Sequence, residues 1–230
     1  MMPAMAGVAA EILEHGLIAV IDTPMLDHIF DWSLAVAEGG IRIVAVPVTA
    51  ENVTELVSDL SDQADLMVGI NGVVAPEHVS LAIAAGADFV LSPIASPEII
   101  SACKGRGILI VAGGATPTEL ASARAAGADL VSLHPAGVLG GPAYFEAVAR
   151  SLGLPHLLAS GMVDVENAPS FLERGAAATI IDRGLFPDSQ DPAALDVIRA
   201  RASALSEICA DVLGVPSRIS LSDVLETGAQ

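Results

Sequence analysis

Short apolar runs alternate with stretches whose apolar residues recur at helical spacing along most of this chain. Runs rich in Val, Ile, Leu and Ala cover residues 16–21, 41–46, 66–70, 89–91, 108–112, 130–133, 156–159 and 177–181. Gly, Pro or Asp punctuates each junction, as at strand ends. Nearly continuous apolar runs mark parallel strands covered on both sides, because a half-solvated strand would alternate with polar residues. The stretches between them are long enough for the helical crossovers that parallel strands need.

A local repeat supports this. Ala84-Ala85-Gly86-Ala87-Asp88-Phe89-Val90 recurs as Ala125-Ala126-Gly127-Ala128-Asp129-Leu130-Val131, and Arg174-Gly175-Ala176-Ala177 is a looser third copy. In each full copy a helix ends at a glycine and a strand starts shortly after. Eight strand–helix units predict an α/β fold, a (β/α)8 TIM barrel over residues 1–187. A doubly wound open sheet ranks below it, since no Gly-x-Gly-x-x-Gly follows the first run.

The two ends read differently. Residues 1–15 predict a short covering helix that stops at Gly16. Residues 191–213 predict one amphipathic helix with Leu195, Ile198, Ala202, Leu205, Ile208 and Leu213 near helical spacing and Pro192 in its first turn. Residues 188–230 are therefore set apart as a C-terminal helix and tail, packed on the barrel or on a neighbouring subunit. Trp32, with Phe30 and Leu34 nearby, reads as helix-to-barrel packing.

Composition narrows the function classes. The chain has 230 residues, 53% of them hydrophobic, which is enough to bury one barrel-sized core. Ten Lys and Arg against 28 Asp and Glu leave a formal net charge of −18. That charge repels phosphate backbones and anionic lipid, so the expected partner is a small molecule, not nucleic acid or membrane. No apolar run approaches a membrane span, and the first residues lack the basic start of a signal peptide. Cys103 and Cys209 fit no metal spacing and no disulfide framework, which points to a reducing, cytoplasmic setting.

Several segments resemble the 2-keto-3-deoxy-6-phosphogluconate / 4-hydroxy-2-oxoglutarate (KDPG/KHG) aldolase family. They are Ala35-Val36-Ala37-Glu38-Gly39-Gly40-Ile41-Arg42-Ile43, Ala87-Asp88-Phe89-Val90-Leu91-Ser92-Pro93, the GGATPTEL stretch over residues 113–120, Leu133-His134-Pro135-Ala136 and Ser160-Gly161. Their order and spacing carry the resemblance, from about residue 16 to 187. It implies a (β/α)8 barrel, commonly a homotrimer, that cleaves 2-oxo acids into pyruvate and an aldehyde.

Carried over residue by residue, the resemblance gives mostly departures. The family's imine-forming lysine, on strand six, falls on Ser132, and its acid/base glutamate on strand two falls on Ala45. A carboxylate-holding arginine of strand two falls on Thr49, and a threonine after strand three falls on Gly72, beside Asn71. An arginine ending strand one falls on Asp22, and an aromatic residue on strand six falls on His134. The family's phosphate-holding glycine turns read here as Ser160-Gly161-Met162 and Ile181-Asp182-Arg183-Gly184. Arg183 offers a planar fork to a phosphate or carboxylate, or pairs with Asp182 as a salt bridge.

The chain holds a single lysine, Lys104. An amine nucleophile forms an imine with a ketone and turns it into an electron sink. Lys104 ends a helix just before the fifth strand, at the N-terminal face, whereas barrel active sites open at the other face. Imine chemistry is therefore not expected.

Side chains alternate along barrel strands, so Ser132 and His134 share a face on strand six. Asp22, Asn71, Ser160 and Asp182 end other strands and ring the same C-terminal mouth. His134, with Asp22 or Asp182, is the expected proton-transfer group, since imidazole titrates near working pH. Ser132, Asn71, Ser160, Gly161, Arg183 and Thr49 are the expected substrate-binding residues. No cofactor is expected; a divalent metal on Asp22, His134 and Asp182 is a lesser alternative. His15, His28, His78 and His156 fall away from the mouth.

The expected function is a lyase or isomerase acting on a small 2-oxo acid, or a related carbonyl or carboxylate compound, without an imine. One alternative is a catalytically degenerate homologue that binds a ligand or serves assembly. Another is a phosphate-binding barrel of the thiamin- or tryptophan-synthesis type, by fold analogy alone.

Overall fold

A computed structural model describes residues 3–21, 28–64, 66–187 and 194–214. Eight strands form the wall: β1 (Leu17–Val20), β2 (Ile43–Pro47), β3 (Met67–Asn71), β4 (Phe89–Ser92), β5 (Leu109–Gly114), β6 (Leu130–Leu133), β7 (Leu157–Ser160) and β8 (Ala178–Ile181). Each lies within two residues of an apolar run in the sequence. The helices are α1 (Pro3–His15), α2 (Ile29–Glu38), α3 (Val53–Ala64), α4 (Pro76–Ala84), α5 (Pro97–Arg106), α6 (Pro117–Ala125), α7 (Gly141–Leu152), α8 (Ala168–Glu173) and α9 (Ala194–Leu213).

The strands pair in parallel in sequence order, and β8 returns to β1 through Leu17 opposite Thr179, closing the barrel. Closure leaves no sheet edge unpaired. Alternation then splits the strand residues into two clusters. Ile18, Ile43, Phe89, Leu109, Leu130 and Leu158 point into the barrel and pack together. Their neighbours, among them Leu17, Val44, Val90, Ile110, Val131 and Leu157, join the helices in the outer layer. Below the interior, α1 inserts Ala9 and Ile12 into the inner cluster, so the predicted covering helix plugs the N-terminal end. It stops where the sequence predicts, at Gly16 with φ +70, whose N–H closes on the Ile12 carbonyl at 3.0 Å.

Phe89 fills the middle of the interior because β3 yields space opposite it. A Cβ on Gly69 would overlap the Phe89 ring.

The repeated aspartates act at the N-terminal end. Asp88 Oδ2 accepts the Val68 N–H at 2.8 Å, and Asp129 Oδ2 accepts the Ile110 N–H at 3.2 Å. Each carboxylate thus stands just before one strand and holds the start of the preceding one. Burial pushes the Asp88 pKa up, and the Val68 hydrogen bond opposes it.

The described part of the C-terminal stretch lies on the barrel. α9 packs against α2 and α8, where the eighth crossover helix would stand. Gly39 permits the approach: a Cβ there would lie 2.5 Å from the Ala202 Cβ and 2.7 Å from the Arg199 carbonyl. Ile198, Ala202 and Leu205 are buried as their spacing predicts, but Ile208 is 48% exposed, and Cys209 is buried in its place. The 3.6-residue turn carries position 208 off the buried stripe. Pro192 and residues 215–230 lie outside the described residues. Trp32 is buried and stacks on Phe186 with centroids 5.2 Å apart, so it packs as expected.

Candidate active site

The polar residues that face the barrel interior sit at its C-terminal end, where the strands run out of apolar residues. There a cavity of about 160 Å³ opens, floored by Val20, Leu91, Val111 and Ile180. Six of the residues expected at the mouth line it: Asn71, Ser132, His134, Ser160, Gly161 and Asp182. They come from β3, β6, β7 and β8 or the residue after, and the pleat points them to one side. Asp22 lies outside the described residues.

His134 follows β6 and is held by its backbone and its neighbours. Its N–H donates to the Gly114 carbonyl at 2.9 Å. The loop behind it is zipped to the end of β7, where Ala136 N–H meets the Ser160 carbonyl at 2.7 Å and Gly137 N–H the Gly161 carbonyl at 3.0 Å. Gly161, at φ +78, is required here: a Cβ would lie 2.7 Å from His134 Nδ1.

A polar relay runs sideways from the imidazole. His134 Nδ1 lies 3.2 Å from Ser160 Oγ, which lies 3.0 Å from Ser132 Oγ. Both serines are buried. With Ser160 donating to Ser132, Nδ1 carries the ring proton and donates to Ser160. That assignment leaves Nε2 with a lone pair and the Ser132 hydroxyl with a proton to donate.

Charge at the site is one-sided. Burial lowers the His134 pKa below 6.5, and the nearby Asp182 carboxylate partly opposes the shift. Burial raises the Asp182 pKa, against hydrogen bonds that include the Met162 N–H and against the attraction of His134. Asp182 Oδ2 accepts that N–H at 3.0 Å, while its Oδ1 is buried with no hydrogen-bond partner.

Two residues expected at the site stand apart from it. Thr49 is exposed in the turn after β2, and Arg183 is exposed beside Asp182; neither lines the cavity. No ion pair joins Arg183 to Asp182, since the carboxylate turns inward to Met162 while the next residue faces outward. Ser92, absent from the expected set, does line the cavity; it is buried and donates to the Ile94 carbonyl at 3.0 Å. A polar residue ending an apolar run before Pro93 was its signal.

Lys104 stands at the opposite end, as its position in the sequence predicts. Its Nζ pairs with Asp129 Oδ1 at 2.7 Å, beneath the barrel. Among the described residues, no group of three or more His, Cys, Asp or Glu is gathered to hold a metal. Both cysteines are free and buried, and burial pushes their thiols up to about 12. His15 accepts the Arg42 N–H, His78 accepts the Val74 N–H, and His28 stacks on Trp32, away from the cavity.

Comparison with known proteins adds the lineage. A family model described as KDPG and KHG aldolase matches residues 8–200. The 2-dehydro-3-deoxy-phosphogluconate aldolase of Treponema pallidum (strain Nichols) is 28% identical over 200 residues, covering 86% of this chain and 94% of that protein. The 2-keto-3-deoxy-6-phosphogluconate aldolase of Zymomonas mobilis ZM4, solved with 3-phosphoglycerate, superposes with a TM-score of 0.79 at 16% identity, covering 89% of this chain and 97% of that one. The KDPG aldolase from Legionella pneumophila, with pyruvate captured as a covalent carbinolamine intermediate, gives 0.72 at 21% identity and covers 92% and 98%. At these identities the structural likeness establishes the fold. No helix among the described residues is long and apolar enough to cross a membrane.

Proposed function

Because this chain belongs to the KDPG and KHG aldolase family, we propose that it is a lyase-like or isomerase barrel that works on a small carbonyl compound without an imine. The substrate class is a 2-oxo acid or a related carbonyl or carboxylate compound, and His134 moves the proton. The observation that carries the reading is a cavity with no amine, lined by an imidazole set between Ser160 and Asp182.

In this reading Nε2 of neutral His134 takes a proton from the carbon beside the carbonyl. Negative charge then grows on the carbonyl oxygen, where the Ser132 hydroxyl and the Asn71 amide donate to it. Asp182 steadies the imidazolium that forms. Enolate formation of this kind serves isomerisation and carbon–carbon bond formation; in cleavage, the reverse, the enolate forms as the carbon–carbon bond breaks and the protonated His134 returns a proton to its carbon. The same reading takes the chain as a homo-oligomer, a trimer by family likeness.

A captured carbinolamine, as in the Legionella relative, requires an amine at the carbonyl. Here the one lysine is engaged with Asp129 at the far end of the barrel. Borohydride added with pyruvate is therefore expected to leave the intact mass of the chain unchanged. An adduct mapped to Lys104 would sink the mechanism.

Solvent deuterium exchange into pyruvate, followed by proton NMR, tests the proton transfer itself. The exchange rate should follow neutral His134, rising with pH through a midpoint below the ordinary 6.5, because burial disfavours the charged ring. Asp182 favours the imidazolium, so Asp182→Asn should move that midpoint to still lower pH. A shift upward contradicts the pairing.

A second reading, ligand binding or assembly without turnover, draws support from Ala45. It is fully buried in the apolar interior, at the place where the resemblance puts the family's acid/base glutamate. Binding without any exchange would favour it.

A further inference from the structure

The turn after β7 carries N–H groups that are already answered from inside the protein. Gly161 and Met162 both take positive φ, +78 and +59, the second at a cost for a side chain other than glycine. Three donors from elsewhere fix the turn. The Gly161 carbonyl accepts the Gly137 N–H at 3.0 Å, the Met162 carbonyl accepts Asn167 Nδ2 at 3.2 Å, and the Val163 carbonyl accepts the Asp182 N–H at 3.1 Å. With those carbonyls engaged, the N–H groups of Met162 and Val163 are left to the Asp182 side chain.

Successive N–H groups on a turn of this kind make a concavity that binds anions. Here the anion is the chain's own. Asp182 Oδ2 accepts the Met162 N–H at 3.0 Å. Burial raises the pKa of this carboxyl, and the N–H groups of Met162, Asp182 itself and Val163 oppose the shift, together with His134. The carboxylate is therefore engaged by backbone donors, and its buried Oδ1 presents nothing to a ligand. None of the residues lining the cavity is Lys or Arg, and burial disfavours the charged form of His134. Filling this cradle thus takes away the N–H groups that an anion on this side of the cavity would need.

We propose that Asp182 determines specificity: its side chain fills the N–H cradle of the β7 turn and bars a phosphate or other dianionic group from the β7–β8 side of the cavity. Substrates of this site are unphosphorylated, and a 2-oxo acid lies with its carboxylate toward Asn71, on β3 across the barrel. That orientation alone rests on the carbonyl reading above; the filled cradle does not.

Emptying the cradle is the test. Asp182→Ala removes the carboxylate but keeps the backbone bond to Val163 and the other two bonds that fix the turn. Gly161 and Asp182 both line the cavity, so the vacated place opens into it. Calorimetric titration of the full chain with inorganic phosphate, at neutral pH and constant ionic strength, should show binding at least about tenfold tighter to this variant than to wild type, the gain of charged hydrogen bonds from the freed N–H groups. Asp182→Asn removes the charge but keeps the place filled by an amide whose oxygen accepts the Met162 N–H, so it should show no such gain. The preference for hydroxyacetone phosphate over hydroxyacetone should follow the same order. If Asp182→Ala fails to fold by circular dichroism, Asp182→Ser, whose short side chain leaves most of the cradle open, carries the same comparison. Phosphate binding as tight in wild type as in the emptied variant overturns the proposal, as does the absence of a gain in that variant when folded. An equal gain in Asp182→Asn also overturns it, because repulsion by the charge, not occupation of the cradle, would then set the preference. Every arm is read by binding, so loss of proton exchange with this order intact would remove the catalytic reading alone.

Discussion

Replacing His134 with alanine is expected to slow deuterium exchange into a bound 2-oxo acid by about 10²–10⁴-fold, the usual contribution of a positioned acid–base group. The imidazole is the cavity's one group that is neutral and basic near neutral pH. Its Nδ1 is engaged with Ser160 Oγ at 3.2 Å, which orients the ring and leaves Nε2 for the substrate. Folding should survive, because the His134 N–H to Gly114 bond and the zipped loop behind it are backbone contacts that alanine keeps. Ser160→Ala should cost less, since the ring then loses its orientation but not its base. Exchange at the wild-type rate in folded His134→Ala would take the residue out of the mechanism.

Phe89→Ala is expected to produce the largest loss of stability. The ring is fully buried at the centre of the interior cluster. Truncating such a ring removes its transfer free energy and leaves a cavity that the closed wall cannot collapse around, about 3–5 kcal/mol together. For a chain of this size that loss lowers the melting temperature by on the order of 10 °C. Gly69 supplies a control. Gly69→Ala alone would push a methyl into the ring, whereas in the Phe89→Ala background the same methyl fills part of the hole. The double variant should therefore be more stable than the sum of the two single losses. Additive losses would show that Gly69 does not make room for Phe89.

The two ends of the barrel were unequally legible from sequence. The Ala-Gly-Ala-Asp repeat announced a recurring unit, but its chemistry emerged only when Asp88 and Asp129 were found on backbone N–H groups of the preceding strands. Those partners lie 20 and 19 residues upstream, and no local pattern names them. On α9, apolar spacing found the buried stripe yet put Ile208 on it; the stripe's edge depends on how α2 and α8 meet the helix.

At the mouth, strand alternation correctly joined Ser132 to His134, because a period of two is a property of the backbone. Thr49 and Arg183 stand outside for a different reason. Both follow strand ends, where the chain turns and alternation no longer dictates direction. Ser92, the last residue of β4, lines the cavity beside the inward-facing Leu91, although alternation alone would turn it outward.

The chain's order of apolar runs was enough to dictate eight parallel strands, since each run must be covered on both faces and each junction carries its own stop signal. Its lone lysine, placed before the fifth strand, was enough to put the amine at the end of the barrel away from the cavity. The three-dimensional closure decided the remainder. It chose which strand-end side chains share one cavity, left Asp182 Oδ1 without a donor, and lowered the His134 pKa through burial. Those properties arise from groups brought together across the barrel, where distance and solvent exclusion, not position along the chain, set the energy.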